Sequence, residues 1–218
     1  MVLSAAICLR FPSAFPSAVG SVFFGRRIKS LVFSTDVAII KNVNADAIIA
    51  VYPFTPQPSI TQAIISVSEV PVFVGVGGGM TNGDRSVRLA EFSEHQGASG
   101  VVVNAPITNE TIAKMKQVVD IPVITTIVSG DMDIAGRLEA GADILNVSGA
   151  AKTPEIVAKI RAQFPDVPII ATGGPKEEDI LRTIQAGANA ITYTPPTTGQ
   201  LFAEIMINHR KNFSKQPG

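Results

Sequence analysis

The chain has 218 residues, of which 46% are hydrophobic and 17% charged, and its 18 basic and 18 acidic side chains cancel to a net charge of zero. That length holds one sizeable core, that apolar content excludes a disordered chain, and the balanced charge gives no basic field for nucleic acid or an anionic membrane surface. A single cysteine, Cys8, and two distant histidines, His95 and His209, leave no internal disulfide and no nitrogen–sulfur zinc site; no metal or other cofactor is expected, and a reducing, cytoplasmic setting fits.

At the start, Met1 to Leu9 is apolar, but Arg10 interrupts it and Pro12 and Pro16 follow. A secretory signal needs positive charge before an unbroken apolar core, so residues 1–26 read as an irregular N-terminal extension and 27–218 as the folded domain. No apolar run is long enough to span a membrane. From Ser30 onward eight short β-rich runs follow one another: Leu31–Phe33, Ala45–Tyr52, Val70–Val76, Ala98–Asn104, Ile121–Thr126, Ala142–Ser148, Val167–Thr172 and Ala188–Thr194. Near-continuous apolar runs of this kind mark parallel strands buried on both faces. Segments with helical spacing lie between them: a short one after Asp36, then Ser59–Ser68, Gly83–Gln96, Asn109–Val119, Asp131–Ala140, a helix opened by Thr153-Pro154-Glu155 with Thr153 as its cap, one through Ile180, Leu181 and Ile184, and Leu201–Ile207.

The strands alternate between two types. One opens on Ala-Asp or Gly-Ala-x, at Ala45-Asp46, Gly97-Ala98, Gly141-Ala142 and Gly187-Ala188; the other opens on an apolar residue and proline, at Val70-Pro71, Ile121-Pro122 and Val167-Pro168. The alternation implies a unit of two strands and two helices, roughly 45–50 residues long, used four times. Eight strands in unbroken alternation with helices predict a single (β/α)8 TIM barrel, an α/β fold with eight parallel strands; an open doubly wound sheet is the alternative.

A barrel of this kind places its site at the C-terminal strand ends. Side-chain alternation puts Asn146 and Ser148, Thr192 and Thr194, Asn104, Gly75, Thr126 and Thr172 on the inner face, and Tyr193 outside. The apolar run ending in Thr172-Gly173-Gly174 before a helix start is an arrangement that gathers N–H groups around an anion, with a ligand-free turn as the alternative. Gly77 and Gly78, in the Gly75–Gly79 run, predict backbone close to a ligand or a mobile loop. Charged candidates are few: Asp36 as a general base or else a helix cap, Lys152 as an anion clamp or Schiff-base former or else a solvated lysine, and Arg85 as a phosphate clamp or else a solvated arginine. Tyr52 to Pro58 carries three prolines and reads as a binding wall or a stiff connector; His95, a turn after Glu91, reads as a surface histidine.

Val167 to Gly174 together with Gln185 to Ala190 resemble the last two units of ribulose-phosphate-binding barrels, a superfamily that includes aldolases and sugar-phosphate epimerases. That resemblance implies phosphate held by Gly173, Gly174 and the Thr194–Gly199 turn, although Pro195 and Pro196 remove two N–H donors and Asn146 stands near the place of the aldolase lysine. From Ser30 to Arg210, and most specifically at Ala45–Pro58, Val74–Gly79, Gly100–Pro106 and Asn146–Pro154, the chain resembles an uncharacterised bacterial barrel family whose members carry the label "hydrolase". With no metal cluster in the residues, and with that family label, the expectation is a metal-independent enzyme, a hydrolase by that resemblance, on a small phosphorylated or carboxylated metabolite, with aldolase- or epimerase-type lyase and isomerase chemistry as alternatives and a non-catalytic ligand-sensing barrel as another. The expected partner is a small anionic substrate, without nucleic acid or membrane; a homo-oligomer stays open.

Overall fold

The computed structural model describes residues 17–23 and 25–213; residues 1–16, most of the segment read as an extension, lie outside the described residues. Its first elements are β1 (Ser21–Phe23) and β2 (Arg26–Ile28), an antiparallel hairpin that occupies the end of that segment. Eight parallel strands follow: β3 (Ser30–Phe33), β4 (Ala47–Ala50), β5 (Val72–Gly77), β6 (Gly100–Val103), β7 (Val123–Ile127), β8 (Ile144–Val147), β9 (Ile169–Thr172) and β10 (Ala190–Tyr193). They close on themselves in sequence order, β10 pairing with both β9 and β3, so the (β/α)8 barrel is the fold.

The helices alternate with the strands: α1 (Val37–Lys41), α2 (Pro58–Val67), α3 (Asp84–His95), α4 (Asn109–Lys116), α5 (Ile134–Glu139), α6 (Thr153–Gln163), α7 (Glu177–Gln185) and α8 (Thr198–Phe213). Among the described residues no helix is long and apolar enough to cross a membrane. Thr153 does not cap α6. A 3-10 turn at Ala150–Lys152 runs directly into the helix, so Lys152 takes the cap position and the Thr153 hydroxyl turns back, accepting from the Gly149 N–H and donating to the Ala150 carbonyl.

Two apolar layers result from the strand alternation. Leu31, Ala47, Ile49, Phe73, Val102, Ile124, Ile144, Ile170 and Ala190 fill the barrel interior, with Ile28 of the hairpin packed among them at the N-terminal end. Val32, Ile48, Val74, Val101, Val103, Leu145, Val147, Ala171 and Ile191 face the other way, against the helices. Each large aliphatic so buried contributes about 1.5–3 kcal/mol, which is why strands of only four residues hold their register.

The two strand types have a hydrogen-bonding cause. Asp46 accepts from the N–H groups of Lys29 and Ser30, Asp143 from that of Val123, and Asn189 from that of Ile169, so the polar residue before β4, β8 and β10 satisfies the first donor of the strand before it, while Ser99 before β6 donates its N–H to the Val72 carbonyl. Pro71, Pro122 and Pro168 occupy equivalent places and use only their carbonyls, accepting from Ile48, Val101 and Leu145, whereas Lys29 before β3 accepts from Ile191 and also donates its N–H to Asp46. A position that only accepts tolerates proline. The repeat is therefore a property of the barrel's closed N-terminal end, and it leaves the opposite end free to vary.

Candidate active site

At the C-terminal end the inward face changes from aliphatic to polar on one half of the barrel. Thr126 pairs with Asn146 across β7 and β8, and the Asn146 side-chain amide donates to the Thr126 hydroxyl at 3.3 Å. Thr172 pairs with Thr192 across β9 and β10. Each of the four stands two residues beyond an interior aliphatic, at Ile124, Ile144, Ile170 and Ala190, so the period of the strand alone turns it into the mouth. Thr192 is 6% exposed, and its Oγ1 is a buried polar atom without a hydrogen-bond partner. A buried hydroxyl left unpaired costs about 1–3 kcal/mol; Ser86 and Thr125 carry two others among the described residues, and that of Thr192 is the one on the inward face.

The other half is apolar. Val51 packs on the interior core, and Gly75 stands beside it, with its α-carbon so close that an added Cβ would lie 3.1 Å from a Val51 methyl. Between Gly75 and Gly77 the pairing of β5 with β6 shifts by one residue, a bulge of the kind found beside active sites. Gly77 and Gly78 have φ of 149° and 93°, and a Cβ on Gly78 would meet the Asn104 backbone nitrogen at 2.5 Å. The glycine run thus lets two loops interlock: Asn104 donates its N–H to the Gly77 carbonyl, and the Gly78 N–H goes to Thr81. Asn104, half-buried, lines the cavity between the loops after β4, β5 and β6 together with Tyr52 and Thr81.

The charged candidates have other neighbours. Asp36 caps α1, its carboxylate accepting from the N–H groups of Ala38 and Ile39, and it also accepts from the N–H and hydroxyl of Thr198 at the start of α8. The Thr198 hydroxyl is the largest cause holding its pKa below the ordinary value; partial burial opposes, and the backbone donors reinforce. A carboxylate so engaged is a poor proton acceptor at neutral pH. Lys152 lines a surface hollow with Asp131 and Lys159. There the hydrogen bond from Lys159 is the main cause that lowers the Asp131 pKa, with the Lys152 charge adding to it. Arg85 is exposed in the first turn of α3. The structure pairs Thr126 with Asn146 and Thr172 with Thr192 on neighbouring strands, while Asp36 is hydrogen-bonded to α1 and Thr198, Lys152 lines the hollow with Asp131 and Lys159, and Arg85 is exposed.

At the Thr172-Gly173-Gly174 turn, the Gly173 N–H is donated to the Thr192 carbonyl. Gly173 is glycine for packing, since a Cβ there would lie 2.7 Å from Ile191 and 2.8 Å from Ile180. The following helix carries Glu177, Glu178 and Asp179 in its first turn. Those carboxylates already complement its N-terminal dipole and oppose a further anion. The turn is nevertheless not closed over: with Ala150, Pro154 and Arg182 it lines a cavity of about 350 Å3. Ser148 and Thr194 stand just past their strands and are exposed.

The segment from Tyr52 to Pro58, read as a binding wall or a connector, lines this cavity, but sequence reasoning looked for its polar groups and passed over two features. Val51 and Met80 join Phe54 of that segment in an apolar wall, legible for Val51 because it continues the inward phase of Ala47 and Ile49. Arg137, 9% exposed, donates to the carbonyls of Ala105, at 2.8 Å, and Ile107, and so holds the loop that carries Asn104. Burial pushes its pKa down. Its signal is a cation three residues after Ile134, on the buried face of α5.

No protein-family model matches the chain, and no curated protein matches it. Among solved structures it is similar to phosphonopyruvate hydrolase in a complex with oxalate and Mg++, at 16% identity and a TM-score of 0.63 over 88% of this chain and 87% of that one. It is also similar to 2,3-dimethylmalate lyase, described as a PEP mutase/isocitrate lyase superfamily member, at 13% identity and 0.63 over 86% and 81%. A third is the phosphoenolpyruvate phosphomutase of Streptomyces platensis subsp. rosaceus, at 13% and 0.63 over 87% and 83%. At these identities the likeness is one of fold.

Proposed function

We propose that the protein is an enzyme that takes a small carboxylated or phosphorylated acid into the C-terminal mouth of the barrel and holds it through Thr126, Asn146, Thr172 and Thr192. The observation that carries this reading is the Thr192 hydroxyl, buried beside Thr172 on the inward face with no partner. Three hydroxyls and an amide, supplied by four successive strands, offer rotatable donors to carboxylate or phosphoryl oxygens. Donors fixed in a partly dehydrated site hold anionic oxygens better than they do in water. Three structural neighbours, a hydrolase, a lyase and a mutase, are named for reactions on small acids of this class, which supports the substrate class and fits any of these three reactions.

The magnesium named with one neighbour does not fit the residues here. That ion takes an octahedron of oxygens, with one or two carboxylates among them. The inward set is hydroxyl and amide, Asp36 is taken up by Thr198 and α1, and among the described residues no three His, Cys, Asp or Glu side chains gather. The phosphate cup of ribulose-phosphate barrels at Gly173 and Gly174 is also left with one fewer donor, so the Thr172 and Thr192 hydroxyls are the better anion contacts on this side.

One observation favours a second reading. None of the four inward polar residues titrates near neutral pH, so the mouth would bind without moving a proton, as a ligand-sensing barrel does. The experiment that separates the two is calorimetric titration with oxalate and phosphonopyruvate, run beside phosphorus NMR of the same mixtures. Binding with release of a new phosphorus species supports the enzyme; binding alone supports the sensor. Thr192→Val, which keeps the side-chain shape and removes the unpaired hydroxyl, is expected to weaken oxalate binding at least about tenfold while leaving thermal stability unchanged or higher. Equal affinity in that variant would remove Thr192 from the site.

A further inference from the structure

We infer that the ligand of the mouth bears an apolar substituent, a branched alkyl or aryl group, and that this group seats in the side pocket formed by the loops after β4, β5 and β6. The inference rests on the proposed mouth site and specifies its substrate class. The pocket holds about 180 Å3. That exceeds by several times the ~30 Å3 share of one water, yet it falls below the ~300 Å3 of a complete ligand site. It therefore takes part of a ligand, a group of a few heavy atoms.

Its chemistry is apolar for three separate reasons. Val51, Pro53, Phe54, Pro56 and Met80 supply its side chains, and among the described residues lining it none is charged. Its hydroxyl oxygens already have partners within the wall, which leaves the Tyr52 O–H as a donor: Thr81 Oγ1 donates to Thr55 Oγ1 at 3.1 Å, and the Tyr52 phenol oxygen accepts from the Gln57 N–H at 2.7 Å. Finally, Phe54 and Met80 stand 70% and 89% exposed at its rim. Two large apolar side chains held in water at the edge of a concavity gain by closing on an apolar group. Asn104, the amide in the lining, follows Val102 in the inward phase of β6, the strand that pairs with β7 and so neighbours the one carrying Thr126. A polyhydroxylated sugar phosphate would leave its hydroxyls unpaired against this wall, whereas an acid with an isobutyl-sized or phenyl-sized substituent matches both halves at once.

The test is calorimetric titration of the full chain with oxalate and with 4-methyl-2-oxopentanoate, in the wild type and in the double variant Phe54→Ser/Met80→Ser, whose side chains are exposed and not needed for folding. The branched acid is expected to bind the wild type at least about tenfold more tightly than oxalate, and the ratio of the two affinities is expected to fall toward one in the double variant. Equal affinities in the wild type, or a ratio that persists in the double variant, would overturn the inference while oxalate binding left the mouth site standing. Binding of neither acid would overturn both.

Discussion

At the scale of single residues, the same side-chain chemistry leads to different roles according to what lies opposite. Asp36 and Thr192 show this. The first has four donors and is spent on structure; the second has none and is available. Asp36→Ala removes a helix cap and the tie to Thr198, and is expected to cost about 1–2 kcal/mol at neutral pH. The folded pKa lies below the ordinary 3.8. The contribution is thus fully present above that value and is lost as the pH falls through the folded value. Urea midpoints of wild type and variant should differ near pH 7 and converge as the pH falls well below 3.8. A difference that persists unchanged in acid would show that the carboxylate's charge is not what stabilises this corner. The distinction was not legible in sequence, because the decisive partner, Thr198, stands 162 residues away. For Lys152 the reason is similar: its setting beside Asp131 and Lys159 depends on how the 3-10 turn meets α6. What was legible was parity. Thr126, Asn146, Thr172 and Thr192 follow from counting by two along strands whose apolar faces were already marked.

Among the elements, strands were read more securely than loops, and the hydrogen-bond pattern explains why. Every even-numbered strand begins where a polar side chain or a backbone donor must reach the strand before it, and every odd one from β5 onward begins where a proline suffices. Those needs recur with the repeat and are written locally. Loop conformation at the other end depends on single long-range contacts, such as that of Arg137 with the segment from Ala105 to Ile107. Arg137→Met keeps the length of the side chain but leaves two carbonyls unpaired beneath the loop carrying Asn104. The expected cost is about 2–4 kcal/mol in urea unfolding. The loop displacement should also lower affinity for the branched 2-oxo acid more than for oxalate, since Asn104 borders the apolar pocket. A variant that lost stability without changing that ratio would separate the loop from the pocket.

At the scale of the molecule, the barrel divides its labour between its ends. The N-terminal end is closed: the β1–β2 hairpin lies across it, Gly20 donates to the Asn189 carbonyl, and Ile28 is fully buried among the interior side chains of β3 to β10. The C-terminal end is where the interior turns from aliphatic to hydroxyl and amide, where the bulge in β5 interrupts the ladder, and where the cavities between the β4–β6 loops and between the β8 and β9 loops open. This polarity is the general one of the fold, in which residues at the closed face serve stability and those at the open face serve function. It makes a separable prediction. Ile28→Ala removes a fully buried side chain from the closed end, where the surrounding strands cannot collapse to fill the space, and should cost about 2–5 kcal/mol in unfolding free energy. Oxalate affinity, measured at a temperature where the variant stays folded, should equal that of the wild type, because the mouth is built on the opposite ends of the same strands. Thr192→Val should do the reverse, keeping stability and losing affinity. If Ile28→Ala weakened binding in proportion to its loss of stability, the two ends would be one cooperative unit, and the mouth would depend on the packing of the whole interior rather than on the four strand ends that line it.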